Sequence, residues 1–393
     1  MTATVLALVL VFAFALLVLE RVLLDRRCSA IPLRIAVTGT RGKSSVTRML
    51  ASVLRESGRT VIAKTTGSKA VIILPDGLEK EVKRRGRPSI MEQKQFVHLG
   101  ANLGADTVVA EIMSVHAENH FVEAQQLLKP HVVLATNFRV DHTAAMGNTR
   151  EGVASVISLD VPSGSRVFVP EHECLPAFRE AMRENGAELV EVPAETATGY
   201  EVRDTDFPEN LHLVFAAARS LGLDDEMILK GIRHARQDIG ALQIWRYELP
   251  GLKNACVAVN AFAANDPEST LLVQRQVMTG LGDDAGQCIG LMNLRADRGD
   301  RTIQWAEALA DGALREFSRL YLCGLHAPAL ARRLPRNGVP IEVLRRTRPQ
   351  EVMKAILSRD QDRRSVVFGF GNIGGLGEAL VEHWNTHGEP LTA

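Results

Sequence analysis

The sequence predicts an α/β protein. It reads as a parallel-sheet domain built around a phosphate loop, then a smaller Rossmann-like carboxyl-terminal domain, with one transmembrane helix ahead of both. Three observations predict this. Short β-branched runs alternate with helical stretches in two successive series, a glycine-rich loop stands between the first run and its helix, and the amino terminus is one unbroken apolar stretch.

The apolar stretch comes first in the chain. No polar residue occurs from Val5 to Leu19. With its flanks the run reaches about 20 residues, enough to span a hydrocarbon core about 30 Å thick. A secretory signal would carry positive charge ahead of the run. Here Arg21, Arg26 and Arg27 all follow it. That bias places the carboxyl side in the cytoplasm. Residues 3–24 therefore read as a single-pass anchor in the plasma or inner membrane, with the catalytic body cytoplasmic. The expected domain limits are 1–27 for the anchor, 28–240 for the central domain and 241–393 for the last domain.

Leu33–Val37 reads as a buried strand, and a helix runs from the glycine turn after it to about Ser57. Further strand-like runs are 60–63, 71–74, 107–110, 132–135 and 167–169, with helical segments between most of them. Such alternation implies a parallel sheet with both faces covered. After a helix-rich stretch from Pro208 to His234, a second series begins at 255–259 and continues at 288–292, 320–323, 341–344 and 365–368.

Composition limits the function classes. The chain has 393 residues with 46 basic and 46 acidic side chains, so its net charge is zero and no general nucleic-acid binder is indicated. A hydrophobic share of 46% with 23% charged residues excludes a disordered chain and a multi-span membrane protein. The five cysteines (Cys28, Cys174, Cys256, Cys288 and Cys323) are scattered without a C-x-x-C pair. Neither a zinc knuckle nor a disulfide framework is expected, and buried reduced thiols are.

The strongest local signal is Thr38-Gly39-Thr40-Arg41-Gly42-Lys43-Ser44-Ser45, directly between the first strand and its helix. Glycines there let backbone N–H groups turn inward and cradle phosphates at the positive end of the helix. Gly39, Thr40, Arg41, Gly42, Lys43, Ser44 and Ser45 are the expected nucleotide contacts. Lys43 would reach the β/γ phosphates and the Ser44 hydroxyl would bind Mg²⁺. Val37 stands where the usual G-x4-G-K-[ST] pattern has its first glycine, so only the G-T-x-G-K-[ST] form is met. The fold expectation thus sharpens to a P-loop ATP-binding domain. Glu111, just past the strand 107–110, lies at the edge where parallel sheets bind ligands, and a carboxylate there can bind Mg²⁺ beside Ser44. Asp141-His142 follows the next strand and can approach the same edge. The other readings are an ordinary strand-end carboxylate for Glu111 and a surface histidine for His142.

This loop and its neighbours resemble the Mur ligase superfamily of ATP-dependent amide ligases, and more closely its poly-γ-glutamate synthase branch, PgsB/CapB. Lys64-Thr65-Thr66-Gly67-Ser68, Arg84-Arg85-Gly86, Ala110-Glu111-Ile112-Met113-Ser114 and Thr136-Asn137…Asp141-His142 carry the resemblance in the central domain. Phe207-Pro208-Glu209-Asn210, the string Asn260-Ala261-Phe262-Ala263-Ala264-Asn265-Asp266-Pro267-Glu268-Ser269, Arg295-Ala296-Asp297-Arg298 and Phe368–Gly374 extend it over nearly the whole chain. With only about 30 residues ahead of the loop, no counterpart to the amino-terminal nucleotide-sugar domain of the murein enzymes is expected. The resemblance implies ATP, one or two divalent metal ions bound with Glu111 and His142, and Asn210 near the adenine. A plain helix cap is the other reading of Asn210.

Asn260 and Asp266, after the first strand of the second series, are expected to meet ribose or substrate. Arg295, Arg298 and Arg301 form a spaced basic set suited to a transferring phosphoryl group or an acidic substrate, and equally to a solvated face. Arg295 and Arg298 join Lys43 as the expected catalytic residues. His116 and His120 have the spacing of a metal pair, but two surface histidines are the expected reading. The basic run Lys80–Arg87 would guide a polyanion or serve as a solvated loop. Gly369–Gly374 fits G-x-G-x-x-G, yet no second strand with an acidic end follows before Ala393, so it reads as a turn and not as a dinucleotide site.

The expected function is transfer of the γ-phosphoryl group of ATP to a glutamate carboxylate, followed by attack of an amine on the acyl phosphate. The resemblance supplies glutamate and poly-γ-glutamate as substrates, and a small multi-span export partner. A homo-oligomer is expected as well, and no nucleic acid. The rival readings are a folate or cell-wall ligase, and a nucleotide-binding subunit that gates an exporter. Many Mur-type ligases bridge their metals with a carbamylated lysine downstream of the Asp-His pair. The helix 152–159 holds no lysine, and none occurs between Lys129 and Lys230. Removing carbon dioxide and bicarbonate from the assay should therefore leave the ligation rate unchanged, whereas a rate that collapses and returns on adding bicarbonate would contradict this reading.

Overall fold

The computed structural model describes residues 2–67, 70–84, 86, 88–197, 208–249, 255–264, 266–282, 286–295, 299–310, 312, 314–334, 339–359 and 364–391. The chain divides into two compact units, one ending at Arg236 and the other beginning, as a continuous stretch, at Gln237.

The first unit is built on an eight-stranded sheet. Its strands are β1 (Leu33–Thr38), β2 (Val61–Thr65), β3 (Val71–Ile73), β4 (Glu79–Glu81), β5 (Thr107–Glu111), β6 (Val132–Ala135), β7 (Arg166–Pro170) and β8 (Glu188–Val192). Their order is β4-β3-β2-β5-β1-β6-β7-β8. The pairings from β2 through β8 are parallel, and β3 and β4 add an antiparallel edge. β1 is central and its residues alternate between two cores. Ile35 and Val37 pack with Val46, Leu50, Val53 and Leu54 of the helix Lys43–Glu56, while Ala36 faces a second cluster with Val108, Val133 and Leu128. Apolar side chains on both faces explain why the strand reads as a continuous run instead of an alternating one.

The second unit holds a seven-stranded sheet of β9 (Gln243–Tyr247), β10 (Cys256–Asn260), β11 (Gln287–Leu294), β12 (Arg319–Gly324), β13 (Ile341–Val343), β14 (Ser365–Gly371) and β15 (Gly388–Pro390). The order is β13-β12-β11-β14-β10-β9-β15. β10 to β14 are parallel, and β9 and β15 are antiparallel additions. Trp245, Phe262 and Trp384 are buried together on one face. All five cysteines are buried free thiols.

The amino-terminal helix runs without interruption from Thr2 to Ser29. Val5 to Leu19 are exposed along it, and it is long and apolar enough to cross a membrane. Its last turns belong to the first unit. Leu24 and Cys28 are 4% and 2% exposed and join the core cluster of Ile31, Phe96 and Leu128. Glu20 pairs with Lys94, and Asp25 with Lys129 at 2.6 Å. The Arg34 guanidinium donates to Cys28 O and Ile31 O at 2.6 and 2.8 Å, and to Leu128 O and Lys129 O at 3.1 and 3.0 Å. One buried cation thereby satisfies carbonyls at the carboxyl ends of two helices, where cations are favoured.

The apolar helix and the first unit thus overlap at residues 24–28. Leu24→Ala should lower unfolding stability by about 2–5 kcal/mol, as for other buried leucines. Leu17→Ala, on the exposed part of the helix, should leave the melting temperature of the detergent-solubilised protein unchanged.

Candidate active site

β1 delivers the chain to the carboxyl edge of the sheet, and the loop Gly39–Gly42 turns it into the helix Lys43–Glu56. Gly39 and Gly42 have φ of 117° and 82°, backbone that L side chains rarely adopt. Space forbids side chains there too. A Cβ on Gly39 would stand 2.1 Å from Thr136 Oγ1, and one on Gly42 2.5 Å from Asn210 Oδ1. Gly42 is the N-cap and brings no side-chain cap, and no acidic residue occupies the first turn. The positive end of the helix is left for a ligand anion.

Asn137, at the residue after β6 plus one, clamps the loop. Its backbone O accepts from Thr40 N at 3.1 Å, its Oδ1 accepts from Thr40 Oγ1 at 2.6 Å and from Arg41 N at 3.2 Å, and its Nδ2 donates to Arg41 O at 3.1 Å. Arg41 also pairs with Asp141 at 3.2 Å. The half-buried Lys43 ammonium donates to Gly39 O at 2.7 Å, folded back over the loop. Desolvation lowers its pKa from the usual lysine range, against the pull of Glu111. A phosphate at the loop would favour the charged ammonium.

Ser44 Oγ donates to Glu111 Oε2 at 2.8 Å, and Thr66 N donates to the same oxygen at 2.8 Å. The contact follows from register, since β1 and β5 run parallel with Val37 beside Glu111. Two cis ligands of an octahedral Mg²⁺ at about 2.1 Å lie about 3.0 Å apart, so this hydroxyl–carboxylate pair fits a shared hard cation. His142 lies on the loop after β6, its backbone N bonded to Asp141 Oδ1 at 2.9 Å and its φ at 49°. A non-glycine residue held in the left-handed region is strained, and such strain gathers at functional sites. Among the described residues, no group of three or more His, Cys, Asp or Glu is placed to hold a metal.

Asn210 is the third residue of the helix Pro208–Ser220, and its side chain stands against Gly42. It is therefore beside the phosphate loop and not at a helix cap. The structure thus brings together the loop residues 39–45, Asn210 and Glu111, with Asp141-His142 tied on through Arg41.

In the second unit, Asn260 Nδ2 donates to Ile239 O and Ala241 O at 2.8 and 3.0 Å, and its Oδ1 accepts from Phe262 N. Asp266 caps the helix Pro267–Leu281 by accepting from Ser269 N at 2.8 Å. Both side chains are engaged in holding their own unit together. Arg295 lies against Gly374, whose added Cβ would meet its Nη1 at 2.7 Å. Gly371-Asn372-Ile373-Gly374 forms the turn between β14 and the last long helix, and Asn293 Nδ2 bonds Asn372 O and Gly374 O across it. Arg298 and the side chain of Arg301 lie outside the described residues.

Some polar residues carry no motif signal. The expectation of two surface histidines is corrected for one of them. His116 is exposed, but His120 is buried, with Nδ1 2.9 Å from both Asp160 carboxylate oxygens. Burial opposes its charge, but Asp160 outweighs it and raises the imidazole pKa. Thr38 Oγ1 donates to Asp160 Oδ2 at 2.5 Å. Glu123 and Gln93 are fully buried and hydrogen-bonded to each other at 2.7 Å, and burial raises the Glu123 pKa. Lys64 is also buried, paired with Glu92 at 3.3 Å, and desolvation lowers its pKa.

Comparison with known proteins sets this geometry in a family. Residues 37–214 match the Mur ligase middle domain, and residues 247–387 the carboxyl-terminal domain of poly-gamma-glutamate synthase CapB. The PGA synthase CapB of Bacillus subtilis (strain 168) is 31% identical over 373 residues, covering 93% of both chains. The chain belongs to the CapB family. The capsule biosynthesis protein CapB of Bacillus anthracis is 30% identical, over 91% of this chain and 77% of that one. Among solved structures, E. coli FolC in complex with ADP superposes with a TM-score of 0.64 at 16% identity, covering 93% of this chain and 92% of FolC. MurF from Acinetobacter baumannii gives 0.63 at 17%, covering 91% and 79%. At these identities the likeness to solved structures establishes the fold, which is that of the Mur and folylpolyglutamate ligases.

Gly42→Ala should lower nucleotide affinity at least tenfold, about 1.4 kcal/mol, through its clash with Asn210 and its strained φ. Titration with a fluorescent ATP analogue checks this, with Gly58→Ala, whose added Cβ meets nothing within 4 Å, as the control for backbone strain alone.

Proposed function

We propose that this chain is an ATP-dependent amide ligase that activates a glutamate carboxylate and extends a γ-linked glutamate polymer. The observation that carries the reading is a capless, glycine-built helix terminus with Lys43 over it and a Ser44–Glu111 oxygen pair beside it. That arrangement binds a polyphosphate together with a hard cation, and the CapB membership supplies the glutamate polymer.

The loop N–H groups from Gly39 to Ser45 bind phosphate oxygens. Lys43 leaves Gly39 O and places its ammonium on the β/γ phosphates, whose negative charge favours the protonated form against the pull of burial. Ser44 and Glu111, with His142 as a third ligand, would hold Mg²⁺, which would supply charge neutralisation at the phosphate oxygens. Asn210 stands beside Gly42, and this reading assigns it to the adenine nucleoside. The glutamate carboxylate oxygen attacks the γ-phosphorus, and the bond to the β–γ bridging oxygen breaks, giving acyl phosphate and ADP. The amine of the acceptor then attacks the acyl carbon. Phosphate leaves, the amine proton passes to solvent, and an amide remains. Arg295 and Arg298 serve the transferring phosphoryl group or the acidic acceptor. In this arrangement the chain's contribution is positioning and charge compensation.

The apolar helix Thr4–Ser29 crosses the plasma membrane and keeps this chemistry on the cytoplasmic face, beside a small multi-span partner that exports the polymer. Membranes carrying the protein, supplied with ATP, Mg²⁺ and labelled glutamate, should form γ-glutamyl polymer with stoichiometric ADP. Lys43→Ala should reduce the rate by at least about 10³-fold, in line with loss of a phosphate clamp. ATP hydrolysis that proceeds without any glutamate-dependent amide would instead support an exporter-gating subunit.

A further inference from the structure

Behind the phosphate loop and the Glu111 carboxylate lie two buried polar sets that the reaction does not use directly. In the first, Asp160, fully buried, accepts from Thr38 Oγ1 at 2.5 Å and is bonded to His120 Nδ1 at 2.9 Å. Thr38 is the last residue of β1 and the first before the loop. In the second, Glu123, also fully buried, accepts from Met113 N at 3.0 Å, from Ser114 N at 2.9 Å, from Ser114 Oγ and from Gln93 Nε2 at 2.7 Å. Gln93 Nε2 donates as well to the backbone O of Glu111 at 2.9 Å. One set holds the end of β1 and the other holds the turn that follows β5.

Both sets are anchored in a single short segment. His120 lies in the helical turn Ala117–Phe121, and Glu123 in the π-helix Val122–Leu128 that continues it. Three residues apart, the two side chains share a face of that segment. π-Helical turns are rare and concentrate at functional sites. Burying two carboxylates and an imidazole is costly unless each is hydrogen-bonded, and a hydrophobic segment of the same shape would fold more cheaply. A fold that retains these groups directly behind the phosphate loop and the metal carboxylate uses them for placement.

We infer that His120 and Glu123 are positioning residues, His120 setting the phosphate loop through Asp160 and Thr38, and Glu123 setting the Glu111 carboxylate through Met113, Ser114 and Gln93. The inference rests on the proposed nucleotide and metal site, and it separates the two sets by what each should change. Residues that orient metal ligands from behind typically contribute 10–100-fold in affinity or activity.

The test uses the full-length protein in detergent, with a fluorescent ATP analogue in EDTA, and Mn²⁺ titrated in the presence of that analogue by electron paramagnetic resonance. His120→Ala should weaken metal-free nucleotide binding about tenfold or more, and His120→Asn, which keeps a donor where Nδ1 lies, should restore most of it. Glu123→Ala should leave metal-free nucleotide binding within about twofold and weaken Mn²⁺ about 10–100-fold. Folded variants with lower melting temperatures but unchanged affinities would overturn the inference, as would a Glu123 variant that weakens both ligands equally. If His120→Ala does not fold, Asp160→Asn compared with His120→Asn gives the same decision from the same titrations. Wild-type protein that binds both ligands yet forms no glutamyl amide would remove the ligase reading and leave this inference standing.

Discussion

The parallel pairing of β1 with β5, which sets Val37 beside Glu111, is the constraint from which the site follows. A shift of one residue would turn every side chain of a strand to the opposite face. Ser44, in the first turn after the loop, would then meet a different partner. The register is specified from both sides because β1 is buried on both faces, with Ile35 and Val37 in one core and Ala36 in the other. Hydrophobic burial thus determines where a hydroxyl and a carboxylate meet.

The same economy appears in how the loop is held. Asn137 contacts Thr40 and Arg41 with both its side chain and its backbone, and Arg41 carries the link on to Asp141. The carboxyl ends of β1, β5 and β6 are joined by polar side chains at the edge where ligands bind and by apolar ones behind it. Lys43 is folded onto Gly39 O, which gives its ammonium a partner within the loop.

Much of this was legible in the sequence. The strands of both parallel series were visible because buried parallel strands are dense β-branched runs, and the phosphate loop because glycine is required where φ is positive and atoms approach closely. β4, β8, β9 and β15 were not seen. They include the sheet margins, where β4 reads Glu-Lys-Glu and β15 contains a proline, so neither carries an apolar period. Asp160 and Glu123 were missed for a different reason. A buried carboxylate is marked by its partners, and Thr38 and His120 stand 122 and 40 residues from Asp160 in the chain, as Gln93 stands 30 from Glu123. Asn260 and Asp266 show the converse. Their string was the most distinctive in the second series, yet the structure uses both side chains within their own unit, one bonding a neighbouring loop and one capping a helix.

The join between the apolar helix and the first unit has a mechanical meaning. From Thr2 to Ser29 the chain has no glycine and no proline, and its end is gripped by Arg34, Cys28 and two ion pairs. Nothing in that stretch can act as a swivel. In the proposed membrane placement the first unit follows whatever tilt the helix takes, so substrate would be met from one bearing and product released at one height above the lipid. A tethered enzyme samples a hemisphere, whereas this one is mounted like a tool on a shaft.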